Sequence, residues 1–346
     1  MVGQSQQGRL AELDALRGIA AMLVLLFHYT ARSEAVLPAA RHIGHGLSWG
    51  HYGVQLFFAI SGFVILMTLE RTASSADFLV SRFARLFPAY WAAVLFTSAG
   101  VVLLGAEALA QPAPVILVDL SMLQGFLYLP SVDGVYWSLT VELAFYFCMW
   151  GLWRARLLGR IEAILLGWIG LTVVWWLLPT LPSRVGMVLV VRYIPFFAIG
   201  MAAYRVRTGA RRWSEQIPVL ASGLAAVALT DVPEVAGVYA AVVAVFMALV
   251  GNRLGWLANR PLLWLGGLSY TIYLIHQNFG YAVIAALERA GFAPRIALLC
   301  AIAATLGVAQ LIHDLIEQPA LHAIRGWWKQ RGERAPLPVT EALPPQ

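Results

Sequence analysis

The feature that most constrains this chain is that its apolar residues come in long runs and its arginines come in the gaps between them. About 20 consecutive apolar residues cross a hydrocarbon core of roughly 30 Å. Ten such runs can be read, at 14–31, 52–70, 84–104, 135–153, 161–178, 186–204, 216–230, 237–251, 262–287 and 295–316. The pattern predicts an all-α polytopic membrane protein, and the composition agrees. The chain is 60% hydrophobic and 12% charged, against about 25% charged for an ordinary soluble domain. The seventh and eighth runs are short for a bilayer and call for tilt or extension into flanking residues. Residues 112–129 are apolar too, but their prolines, Asp119 and Gln124 predict a half-buried, non-spanning element over the outer end of the bundle. This divides the chain into a cytoplasmic segment at 1–13, a transmembrane domain at 14–328 and a Pro-rich, polar tail at 329–346 expected to be disordered.

The formal charge of +6 does not point to nucleic acid, because the basic residues lie in short clusters between apolar runs rather than in one patch. Counted on alternate sides of the ten-span arrangement, 18 Lys and Arg fall on one side and 6 on the other (Arg32, Arg41, Arg184, Arg192, Arg289 and Arg295). The positive-inside rule then puts both termini in the cytoplasm. The polar N-terminus is unlike a cleaved signal peptide, so the first helix itself is expected to direct insertion into the cell (inner) membrane. Cys148 and Cys300 lie in apolar runs without ligand spacing and read as packing residues. No metal is expected.

Polar residues within the runs carry the functional argument. In DALRGIAAMLVLLFHY, Arg17 and His28 are eleven residues apart. On a helix they share nearly one face and stand about 16 Å apart along the axis. A histidine at that depth needs a partner or a water-filled cavity. In the second run Gly53, Ser61 and Gly62 read as helix contacts, while Gln55 is not explained that way. Arg82 and Arg85 share one face at i and i+3, either as topology anchors or as a phosphate clamp. Glu142, alone in the fourth run, is either a structural ion pair or a working carboxylate. Ser269, Tyr273 and His276 form a polar stripe in the ninth run that reads as a cavity wall. Pro319 is expected to stop the tenth helix, with Glu317 near the cytoplasmic surface. His313 and His322 read as interfacial. Two classes of function fit this set: a proton-coupled transporter using His and Glu, or a transferase using histidine as base and arginines to hold an anionic donor.

The motifs LDALRGIAAMLVLLFH, GVQLFFAISGF, RFARLFPAYW, YWSLTVELAFY, LSYTIYLIH and IEQP occur in an order that resembles the membrane-bound acyltransferase-3 family, over about residues 13–328. The resemblance implies transfer of an acyl group, acetyl first, from cytoplasmic acyl-CoA to a sugar hydroxyl. The acceptor it implies is an extracytoplasmic glycan, such as O-antigen or exopolysaccharide, with an antibiotic sugar as the alternative. It implies that His28 is catalytic, with Glu142 in a supporting role, and that Arg17, Arg82 and Arg85 face the acyl-CoA. It gives Glu317 and Pro319 a structural or gating role and leaves Gln55, Ser269, Tyr273 and His276 as acceptor or cavity-wall residues. Gln55 departs from the family, many of whose members carry Asp there. Some members add an extracytoplasmic hydrolase-like domain; here transfer is expected to be completed by the bundle, alone or as a homo-oligomer.

Overall fold

A computed structural model describes residues 10–32 and 47–334 of the protein, and within them every regular element is helical. Arg9, Arg41 and the tail beyond Arg334 lie outside the described residues. The helices are α1 (Ala11–Phe27, continued by a π-helical turn at His28–Arg32), α2 (Gly53–Glu70), α3 (Ser75–Leu103), α4 (Ala113–Asp119), α5 (Trp137–Arg154), α6 (Ile161–Leu177), α7 (Ser183–Val188), α8 (Ile194–Arg207), α9 (Trp213–Thr230), α10 (Pro233–Val250), α11 (Arg260–Arg289), α12 (Pro294–Ile312, continued by a π-helical turn at His313–Glu317) and α13 (Gln318–Arg334).

Among the described residues, six helical segments are long and apolar enough to cross a membrane: Ser48–Glu70, Ser75–Leu103, Gly134–Arg154, Leu158–Leu177, Pro233–Val250 and Pro294–Arg331. The runs at 14–31, 216–230 and 262–287 form helices that are shorter or more polar. The run at 186–204 is not continuous: it breaks after α7 and resumes at α8, leaving α8 only 14 residues long. Large apolar side chains on the outside, among them Leu103, Leu117, Leu299 and Leu315, give the bundle a hydrocarbon-facing surface. Residues 112–129 form the predicted non-spanning element, a seven-residue helix and a 3₁₀ turn with Asp119 and Gln124 buried.

Small residues set the helix register. Gly18 lies against the backbone of Gly266, where a Cβ would come within 2.7 Å of the Gly266 nitrogen, and a Cβ on Gly266 would overlap the Asp14 carbonyl. One end of α1 thus packs on the start of α11. At its other end the Tyr29 hydroxyl occupies the space a side chain on Gly280 would need. The two helices therefore run parallel along their shared length. Gly62 and Gly200 make a similar backbone approach between α2 and α8, against Phe197 and Ala59 respectively, as the small residues of the second run predict.

Pro319 does not stop the tenth helix. The chain passes through it into α13, which continues through 329–334. The π-helical turn at His313–Glu317 immediately precedes it, and the wider turn accommodates a ring that lacks an N–H and would crowd a regular α-helix.

Candidate active site

The parallel packing of α1 and α11 brings His28 to His276: Nδ1 of His28 lies 3.1 Å from Nε2 of His276, with ring centroids 4.8 Å apart. Their tautomers follow from the carbonyl groups around them. Nδ1 of His276 lies 2.9 Å from the Tyr273 carbonyl and 3.2 Å from that of Ile272. A carbonyl only accepts, so this nitrogen carries the proton and Nε2 is a lone pair. Nδ1 of His28 lies 2.8 Å from the Val24 carbonyl, so it carries its proton too and shares it with His276. What remains is the lone pair on Nε2 of His28.

The backbone around His276 is held from three directions. Tyr29 donates to the His276 carbonyl at 2.6 Å and lies 2.7 Å from the Thr305 hydroxyl. Tyr136 donates to the Leu274 carbonyl at 3.1 Å. The buried Asp133 accepts from the Asn278 N–H at 2.9 Å and from the Val135 N–H at 3.1 Å. Asp133 lies in the connection before α5, and burial pushes its carboxyl up to about 7; that of Asp119 in the same cap is pushed up to about 6. The sequence gives no role to Asp133, Tyr29 or Tyr136, and shows Asn278 only as one of the polar residues recurring in the ninth run. Tyr29, which follows His28 directly, was the one signal within reach.

The arginines form a second centre. Arg17, Arg82 and Arg85 line one cleft with Glu142, Tyr146, Ser269, Tyr270 and Tyr273, enclosing about 800 Å³ of empty space including its open part. Arg17 pairs with Asp14 at 3.1 Å. Arg85 pairs with the buried Glu317, which also accepts from Nδ1 of His313 at 2.9 Å. His313 thus belongs to the network holding Arg85 rather than to the interface alone. Nε of Arg82 is buried with no hydrogen-bond partner among the described residues. A fourth arginine, Arg325 on α13, donates to the Ser81 hydroxyl at 3.4 Å, the same hydroxyl to which Arg82 donates at 3.3 Å. The sequence reading counted it only as a topology residue.

Glu142 is not beside His28. It accepts from Ser61 at 3.2 Å and from the Tyr146 hydroxyl, inside the arginine cleft. His276 is the residue that stands next to His28. Gln55 does not line the cleft either, and its Oε1 is buried without a hydrogen-bond partner among the described residues. Ser269 and Tyr273 do line it. Tyr273 forms the partition between the two centres: on one side it faces the cleft, on the other its ring lies 5.6 Å from that of His276. Its hydroxyl donates to the Val135 carbonyl at 3.0 Å and lies 2.5 Å from the Ser138 hydroxyl, while Phe57 packs edge-on against its ring.

Fold and site together define an all-helical membrane protein in which a cationic cleft and a partly buried imidazole pair occupy different levels of one bundle. A family model described as an acyltransferase domain matches residues 10–314, and the chain belongs to that family. It is 31% identical over 175 residues to the acyltransferase MdmB of Streptomyces mycarofaciens, a match covering 46% of this chain and 43% of that protein. Over 121 residues it is 31% identical to the exopolysaccharide production protein ExoZ of Rhizobium meliloti (strain 1021), covering 31% and 36%. An O-acetyl transferase of Shigella phage Sf6 is 38% identical over 76 residues, 22% of each chain. The chain thus spans less than half the length of these relatives. No solved structure matches it.

Proposed function

We propose that this acyltransferase moves an acyl group, acetyl first, from cytoplasmic acyl-CoA to a hydroxyl of an extracytoplasmic glycan. The carrying observation is the separation of the two centres along α1. Arg17 stands at the cleft and His28 at the imidazole pair, about 16 Å apart along the helix, a distance that matches an extended pantetheine arm. Arg82, whose Nε has no hydrogen-bond partner among the described residues, and Arg85, fixed by Glu317, suit the donor's phosphates, because guanidinium groups bind phosphate through paired hydrogen bonds. Both termini face the cytoplasm in this reading and the protein resides in the inner membrane.

Nε2 of His28 takes the proton of the acceptor hydroxyl as its oxygen attacks the thioester carbonyl. The new ester C–O bond forms, the C–S bond breaks, and the proton passes to the departing thiolate. His276 stabilises the transient imidazolium by accepting from Nδ1. Glu142 acts in the donor cleft, where it orders Tyr146 and Ser61, rather than on His28. Direct transfer is favoured over an acyl-histidine, since an attacking Nε2 would leave the acceptor without its base.

The test is to incubate the purified protein with labelled acetyl-CoA and size-fractionated surface polysaccharide. Label entering the glycan with stoichiometric release of CoA supports the reading; proton-coupled flux in liposomes without transfer overturns it.

A further inference from the structure

From Glu317 onward the chain runs back along the first half of α3. Glu317 pairs with Arg85, Arg325 donates to the Ser81 hydroxyl at 3.4 Å, and Nε1 of Trp328 donates to Asp77 at 2.7 Å. The two flanks of this α3–α13 pair differ. One is apolar and lined by Leu79, Phe83, Ile324 and Trp327. The other carries Ser81, Arg82 and Arg325, beside the arginine cleft that Arg82 lines.

Ser81 is the meeting point of two cations from different helices. Its hydroxyl accepts from Arg82 at 3.3 Å as well as from Arg325, which fills both lone pairs and leaves its own proton with no acceptor among the described residues. The other two arginines of the cleft have carboxylates, Arg17 with Asp14 and Arg85 with Glu317. Neither Arg82 nor Arg325 has a carboxylate partner among the described residues, and Asp77, one turn before Ser81, is engaged by Trp328. The Phe78 and Tyr146 rings flank the Arg82 guanidinium, each at 5.9 Å, but bring no charge to balance it. Ser81 and Arg82 are partly exposed and Arg325 is exposed, so a ligand can touch all three.

Two converging guanidinium groups and a spare hydroxyl proton suit a dianion with three terminal oxygens, which is a phosphate monoester; a phosphodiester offers one charge and two such oxygens. Ser81 and Arg85 are one turn of α3 apart, about 6 Å, a span that a ribose bridges between its 5′ and 3′ phosphates. We infer that Arg82, Ser81 and Arg325 bind the 3′-phosphate on the donor's ribose, while Arg85 and Arg17 take the 5′-diphosphate. The inference rests on the acyl-CoA reading above and deepens it. The donor must carry a phosphomonoester, so a thioester on a carrier protein, whose pantetheine is joined through a phosphodiester, is a poor substitute.

The experiment titrates the full-length protein in detergent with acetyl-CoA and with acetyl-dephospho-CoA, which lacks only the 3′-phosphate. Binding is read by calorimetry and needs no turnover. Wild type should bind acetyl-CoA about tenfold or more tightly than the dephospho form. Arg325→Ala should lose that preference by weakening acetyl-CoA alone, with acetyl-dephospho-CoA bound as before, and Arg325→Lys should restore part of it. In turnover, Arg325→Ala should raise the acetyl-CoA KM by a similar factor and leave kcat and the acceptor KM unchanged. Equal affinity of wild type for the two thioesters, or a preference that survives in Arg325→Ala, would overturn the inference. So would phosphatidic acid, a phosphomonoester of the membrane itself, if it stayed on wild type but not on Arg325→Ala through purification and resisted displacement by CoA. Failure of wild type to bind either thioester would overturn the acyl-CoA reading and this inference with it. A 3′-phosphate preference without transfer to any glycan would instead overturn the proposed function and leave the phosphate site standing.

Discussion

His28 and His276 share a hydrogen bond at 3.1 Å although 248 residues separate them, and the proton in that bond comes from His28. His276 can only accept there, because its other nitrogen is committed to backbone carbonyls. The pair is therefore polarised in one direction, with its basic end on Nε2 of His28.

His28→Ala should abolish transfer while retaining acetyl-CoA binding, read by calorimetry. His276→Ala should lower kcat by about 10² or more, the scale of a general-base contribution, with donor KM unchanged. Residual activity in His28→Ala near the wild-type level would remove the histidine from the chemistry.

Glu317→Gln should act on the donor through Arg85, because the carboxylate that fixes this guanidinium is lost. The expected result is an acetyl-CoA KM raised by about tenfold, roughly 1.4 kcal/mol, with acceptor KM little changed. Arg82→Ala should behave in the same way. Equal effects on donor and acceptor would mark both arginines as topology anchors.

Tyr273→Ala removes the partition between cleft and imidazole pair. Water should then reach the thioester, and slow acetyl-CoA hydrolysis without acceptor should appear in a thiol-release assay. Tyr273→Phe keeps the ring and should remain tight.

Tyr29→Phe leaves both histidines in place but removes the hydroxyl that bonds the His276 carbonyl and Thr305. A cost of about 1–3 kcal/mol is expected from the buried groups left unpaired, measured as a lower thermal unfolding temperature in detergent.

The cap carboxyls give a pH dependence with a definite sign. Asp133 and Asp119 are pushed up to about 7 and 6 in the folded protein, above the ordinary Asp value near 3.9. The unfolded chain therefore loses these protons first, and the stability they contribute, complete below about pH 4, is lost as pH rises through 6 and 7. Thermal stability should fall from pH 5 to pH 8, and Asp133→Asn should flatten that slope.

Most of the helical runs, and within them the polar residues His28, His276, Arg82 and Arg85, stood out in the sequence because burying charge in hydrocarbon is so unfavourable. Partnership was not legible. That His276 rather than Glu142 meets His28 depends on the register of α1 against α11, which Gly18, Gly266 and Gly280 determine through backbone approach. Pro319 misled for a related reason: a proline signals a helix end only in a regular α-helix, and the π-helical turn ahead of it left no mark in the apolar pattern. Asp133 was hidden because a carboxylate in a connecting segment looks solvated until the fold buries it.

The interlocked backbones of α1 and α11 also assign the moving parts. Two helices in contact at both ends of the shared stretch cannot slide or part without breaking those contacts, so the imidazole pair sits on a fixed anvil. Under the proposed mechanism, an opening that admits the donor arm is expected in the opposite wall, where Phe57 and Ser138 meet Tyr273. The imidazole pair and Tyr273 thus ride on one interlocked unit, while Phe57 and Ser138 belong to the helices that face it.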